Sequence, residues 1–144
     1  MAVEVSVNEN TKADYFDATF LKFPELEKSI LSDFLRYKEN DELPSYFGCD
    51  VAYVEPHAAR KCGMMHIHLK LPPSSFPDRR PQADRKCAMN DPENDACLVY
   101  VRGDLYEDRY SLIAIFNPDA HGMAQDPKIM NYLSRVAQNF VDSN

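Results

Sequence analysis

Two short apolar runs, 96–102 (ACLVYVR) and 110–116 (YSLIAIF), constrain this chain more than any other feature. Each is too short for a buried helix and too continuously apolar for a strand with one wet face, so both read as central strands. The stretch between them, 103–109 (GDLYEDR), is short and polar, which suits an antiparallel hairpin. A third strand is expected over 64–71, where Met65, Ile67, Leu69 and Leu71 alternate with His66, His68 and Lys70. Residues 2–7 alternate more weakly and predict a short edge strand.

Two helices complete the set. Pro24 suits a first helical turn, and Leu26, Ile30, Leu31, Phe34, Leu35 and Tyr37 share one side up to Asn40, before Leu43-Pro44 and Phe47-Gly48 interrupt the pattern. Near the C-terminus Asp126 caps, Pro127 opens the helix, and Ile129, Met130, Leu133, Val136, Ala137 and Phe140 mark its apolar face. Residues 41–63 read as irregular, with a short turn or strand near 51–54. The order strand, helix, three strands, helix predicts an α+β fold, a small antiparallel sheet with helices packed on one face, in a single domain over 1–144. Residues 72–95 show no periodicity and hold five of the ten prolines. A loop of that length inside a small domain is usually functional or disordered, or else conceals an unassigned element.

Bulk properties exclude several classes. No apolar stretch approaches the length of a membrane span, and residues 1–10 lack the basic flank and apolar core of a secretory leader. A cytoplasmic location is therefore expected, and Cys49, Cys62, Cys87 and Cys97, without Cys-x-x-Cys or zinc-finger spacing, are expected as reduced thiols. Neither a phosphate-binding Gly-rich loop nor a Gly-x-Ser-x-Gly elbow occurs. The net charge is −7, which argues against binding free polyanions, but its distribution is uneven. Residues 60–88 carry 7 basic and 2 acidic side chains, while both flanking segments are acidic. Screening over about 8 Å in physiological salt lets that positive segment act locally.

The positive segment begins beside the paired histidines. If helices cover the Ile67 face, then His66, His68 and Lys70 share the uncovered face, and His121 follows the last strand closely enough to join them. Imidazoles beside ammonium and guanidinium groups form a surface for proton transfer and anion binding near neutral pH. Arg79, Arg80, Arg85 and Lys86 in the proline-rich loop are candidate phosphate ligands, and Tyr100 and Arg102 are possible additions from the neighbouring strand. Each has an ordinary structural alternative: a solvated strand face for His66 and His68, a solubilising loop for the cations, core for Tyr100, a helix cap for Asp126. A metal site on His66 and His68 would need a third ligand such as His121, Asp126 or Cys97, and no metalloenzyme spacing is present. Histidines and cations alone suffice for RNA cleavage through the ribose 2′-hydroxyl, with no cofactor and no protein nucleophile.

In order and with similar gaps, Phe34-Leu35-Arg36-Tyr37-Lys38, Leu43-Pro44, Phe47-Gly48, His66-Ile67-His68-Leu69, Phe76-Pro77, Leu98-Val99-Tyr100, Leu112-Ile113-Ala114-Ile115 and Pro118-Asp119-Ala120-His121 resemble the YafO toxins of type II toxin–antitoxin modules. The resemblance spans roughly residues 26–140. It implies a RelE-like fold, ribosome-dependent mRNA endonuclease activity and inhibition by a small antitoxin partner. Position by position, His66, His68, His121 and Asp126 match family positions, and Arg85 falls near a family arginine. Cys97 stands where the family pattern has histidine, and Gly122 and Gln125 where it has lysine and arginine. The combined expectation is a toxin acting on the ribosome and mRNA, with His68 or His66 as general base, His121 as general acid, and Arg79, Arg85 and Lys86 on phosphate. A non-catalytic binding module and a metal-dependent hydrolase are the competing expectations.

Overall fold

In the computed structural model, which describes residues 2–144, the elements run β1 (Glu4–Val7), α1 (Lys12–Tyr15), α2 (Asp17–Lys22), α3 (Leu26–Asn40), β2 (Phe47–Ala52), α4 (His57–Cys62), β3 (Met65–Leu69), β4 (Ala96–Arg102), β5 (Arg109–Phe116), α5 (Ala120–Ala124) and α6 (Pro127–Ser143). Met1, the first residue of the segment read above for a leader, lies outside the described residues.

β4 and β5 form the expected antiparallel pair, with Leu98 opposite Ile115 and Val99 opposite Ala114. β3 lies antiparallel to β4 and β2 antiparallel to β3, giving one sheet in the order β1-β5-β4-β3-β2. The fold is α+β with a five-stranded, mostly antiparallel sheet, as the apolar pattern predicts. One pairing departs from that pattern: β1 runs parallel to β5, with Val5 opposite Tyr110. More than a hundred residues separate the two strands, so no tight turn dictates their relative direction.

The expectation of helices on one face is corrected. On one side Phe16, Phe20, Ile30 and Phe34 pack against Ile67, Leu98, Leu112 and Ile115. On the other, Ala59 and Cys62 of α4 and Met130, Leu133 and Ala137 of α6 pack against Val99, Val101, Ile113 and Phe116. The reason was present in the two central strands. Residues apolar at both parities cannot leave either face to water, so the sheet needs two helical layers. α1, α2, α4 and α5 are too short to have announced themselves through periodicity, and β2 was visible only as a trace near residues 51–54.

Residues 72–95 contain two single-turn 3-10 segments and are otherwise irregular, yet they are firmly attached. Phe76 is 2% exposed, and its N–H donates to the Ser45 carbonyl at 2.9 Å. Arg85 is 5% exposed, and its guanidinium donates to the carbonyls of Arg80 (3.0 Å), Phe47 (3.2 Å), Asp78 (3.2 Å) and Pro44 (3.4 Å). The Arg85 carbonyl accepts from Cys49 N–H at 2.8 Å. Gly48 is what permits this approach, since a Cβ there would stand 2.4 Å from the Arg85 carbonyl oxygen.

Arg85→Ala is therefore expected to leave several buried carbonyls without donors and to destabilise the fold by about 2–4 kcal/mol. Urea denaturation of the purified variant measures this. A midpoint equal to that of the wild type would show that the guanidinium does not hold the loop.

Candidate active site

β3 presents His66 and His68 to the α4–α6 side of the sheet. His66 stands opposite Val99 and His68 opposite Cys97, both of which belong to the apolar layer on that side. The face is not uncovered, as the sequence suggested, but the cover has a gap. Tyr53, His66, His68, Asp95, Cys97, Ala120, His121 and Ala124 line a small pocket there. The His68 and His121 ring centroids are 5.7 Å apart, and those of His66 and His68 are 5.9 Å apart. The three histidines singled out by sequence thus meet at one place. His57, the fourth histidine, is exposed on α4 and lines no part of the pocket.

Each ring has a distinct neighbour. His66 stacks on Tyr53 with centroids 4.0 Å apart and planes 12° from parallel, and its Nδ1 is buried with no hydrogen-bond partner. His68 Nδ1 accepts from the backbone N–H of Cys87 at 2.9 Å. His121 places Nδ1 2.7 Å from Asp95 Oδ2, and that same oxygen accepts the His121 backbone N–H at 2.8 Å. The Asp95 side chain is 1% exposed against 30% for His121. The carboxylate is therefore buried behind the partly exposed imidazole.

The remaining candidates divide. Lys86, exposed and adjacent to Cys87, adds its charge to the surroundings of His68. Arg79 and Arg80 are exposed on the same loop. Lys70 lies just past β3, its ammonium 5.5 Å from the Phe76 ring centre, and it lines a separate groove with Lys22 and Phe23 rather than the histidine pocket. Arg85 is turned inward onto the backbone carbonyls already described. Tyr100 points to the opposite side of the sheet, where its hydroxyl donates to Asp50 at 2.8 Å and accepts from Lys38 at 2.9 Å. Arg102 is exposed beyond the last β3–β4 pair, Met65 opposite Tyr100. Asp126 caps α6, accepting the Lys128 N–H at 2.9 Å. Among the described residues no group of three or more His, Cys, Asp or Glu side chains is arranged to hold a metal ion.

Comparison with known proteins sets this geometry in a family. Residues 35–142 match the family described as toxin YafO of type II toxin–antitoxin systems. The chain is also 32% identical over 115 residues to the mRNA interferase toxin YafO of Escherichia coli (strain K12), covering 78% of this chain and 83% of that protein. No solved structure matches it.

The chain belongs to the YafO toxin family. The matched segment contains the whole pocket and the positive loop, whereas β1, α1 and α2 precede it. Cys97 lines the floor of the pocket, 3% exposed, with its sulfur 3.7 Å from the Tyr53 hydroxyl. Burial pushes its thiol up to about 12, so it stays protonated and inert. Gly122 and Gln125 sit in and just after α5, on the rim beside His121.

Residues that sequence reading missed are Asp95, Tyr53 and the Cys87 N–H. Asp95 had a signal: it shares parity with Cys97, the residue opposite His68. That signal needs the β3–β4 register, which sequence does not supply.

Burial, followed by the neighbouring His68, lowers the His66 pKa from 6.5 to about 4. Burial, then His121, also lowers that of His68. A folded-state value below the unfolded one keeps the full contribution to stability above about pH 6.5. That contribution is lost as pH falls toward 4, because the unfolded chain takes up the proton first. Thermal melts from pH 7 to pH 4 should therefore show wild-type protein losing about 1–3 kcal/mol more than His66→Phe, which keeps the stack on Tyr53. Parallel losses in the two proteins would show that His66 is not held neutral.

Proposed function

We propose that this YafO-family toxin is an endoribonuclease that cuts mRNA on the ribosome, the whole chain 1–144 acting as one toxin domain with its cognate antitoxin as the natural inhibitor. The observation that carries the reading is the convergence of three imidazoles and a buried carboxylate on one pocket, with the backbone of the proline-rich loop against one of the rings. The name of the similar Escherichia coli protein, an mRNA interferase toxin, points the same way.

RNA brings its own nucleophile. One imidazole takes the proton from a ribose 2′-hydroxyl, and the freed oxygen forms a bond to the adjacent phosphorus. The bond from phosphorus to the 5′-oxygen breaks, and that oxygen takes up a proton. The products are a 2′,3′-cyclic phosphate and a 5′-hydroxyl. Hydrogen-bond donors and cations around the phosphate stabilise the charge that builds on its oxygens. Arg79, Arg80 and Lys86, exposed on the loop, and Lys70 are the cations assigned to that contact in this reading.

The net charge of −7 disfavours capture of free RNA. Docking on the ribosome supplies the positioning that the protein's own field does not. Access to the cytoplasm, where ribosomes work, is part of the same proposal.

In a purified translation system, primer extension should reveal discrete new 5′ ends on translated message, and those ends should carry hydroxyls that polynucleotide kinase labels without prior phosphatase. His68→Ala and His121→Ala should each lower cleavage by about 10²–10⁴-fold. Arrested translation with intact message would instead identify a binding module that inhibits without cutting.

A further inference from the structure

We infer that the fold fixes opposite tautomers on two neighbouring imidazoles: Asp95 is a positioning residue that keeps the proton of His121 on Nδ1, and the Cys87 backbone keeps that of His68 on Nε2. The chemical use made of this pair rests on the RNA-cleavage reading; the tautomers themselves do not.

The argument begins with what each partner can do. A carboxylate oxygen only accepts, so at 2.7 Å from Asp95 Oδ2 the His121 Nδ1 must carry the hydrogen. The lone pair of neutral His121 is then on Nε2, on the far side of the ring from Asp95. A backbone N–H only donates, so at 2.9 Å from the Cys87 nitrogen the His68 Nδ1 must be bare. Neutral His68 therefore carries its hydrogen on Nε2, and protonating Nδ1 would set two N–H groups against each other.

Both partners are fixed. The Asp95 N–H donates to the Pro92 carbonyl, and the Asp95 carbonyl accepts from Ala120 N–H at 3.1 Å, which ties β4 to the start of α5. The Cys87 sulfur lies 3.4 Å from the Leu69 carbonyl and 3.7 Å from that of Ala96, with its one S–H shared between them, which ties the loop to β3 and β4. Turning over either imidazole would break its own hydrogen bond to Asp95 or to the Cys87 N–H.

Within the cleavage reaction the pair divides the work. His121 Nε2 takes the 2′-hydroxyl proton, and the resulting imidazolium is held against the buried carboxylate. His68 Nε2–H donates to a non-bridging phosphate oxygen and remains neutral. The departing 5′-oxygen takes its proton from water, and the hydroxide so formed is neutralised by the His121 imidazolium, which restores the starting state. This ordering gives both proton transfers to His121 and none to His68, where the sequence suggested His68 or His66 as base and His121 as acid.

Long-range ¹H–¹⁵N correlation spectra of the full chain near neutral pH read the tautomers directly. The expected result is protonated Nδ1 with bare Nε2 in His121 and the opposite in His68. An Nε2–H form of His121, or an Nδ1–H form of His68, overturns the inference. In Asp95→Asn the Nδ1–H population of His121 should fall while the His68 pattern is unchanged, and cleavage in the translation assay should drop at least about 10²-fold. Wild-type cleavage by a folded Asp95→Asn protein overturns the positioning role. The expected tautomers in a protein that never cuts message would overturn the nuclease reading and leave the imidazole assignment standing.

Discussion

The guanidinium of Arg85, buried against four backbone carbonyls, is the contact on which the functional part of this molecule depends. A long irregular segment has few backbone partners of its own, and each unpaired buried carbonyl would be costly. Arg85 supplies donors to the loop and to the strand entering β2 at once. The loop is thereby held against the sheet edge at Gly48 and brings Cys87 onto His68 two residues later. An arginine that sequence assigns to phosphate thus serves the site indirectly, by building the wall that sets one imidazole.

Burial has opposite consequences for the three histidines. His66 and His68 stand on the face that α4 and α6 cover, and desolvation there disfavours their protonated forms. His121, on a short helix at the rim, keeps part of its ring in solvent and has a buried anion behind it. Three identical side chains become a stacked apolar-like ring, a fixed donor and a carboxylate-backed acceptor. Membership of the YafO family places this division in a toxin of a type II toxin–antitoxin system. The acidic remainder of the surface then works against indiscriminate binding.

The elements legible in sequence were those whose apolar spacing extends over several turns or several strand residues. β3, β4, β5, α3 and α6 were all readable, and so were the three histidines as a group, because β3 fixes the parity of two and the end of β5 places the third nearby. The elements that escaped were short. α4 and α5 hold too few turns for a period to register, yet α5 carries His121 and α4 closes one side of the sheet.

Sequence by itself determined the sheet's interior and the identity of the imidazole cluster, because alternation and continuous apolarity are local properties that burial enforces. It also marked the proline-rich segment as exceptional. Tertiary structure alone decided that both sheet faces are covered, that Arg85 points inward, and that Asp95 and the Cys87 N–H meet different histidines. Each of those contacts joins residues whose separation along the chain carries no information about direction or register, so only the packed fold could select the partner.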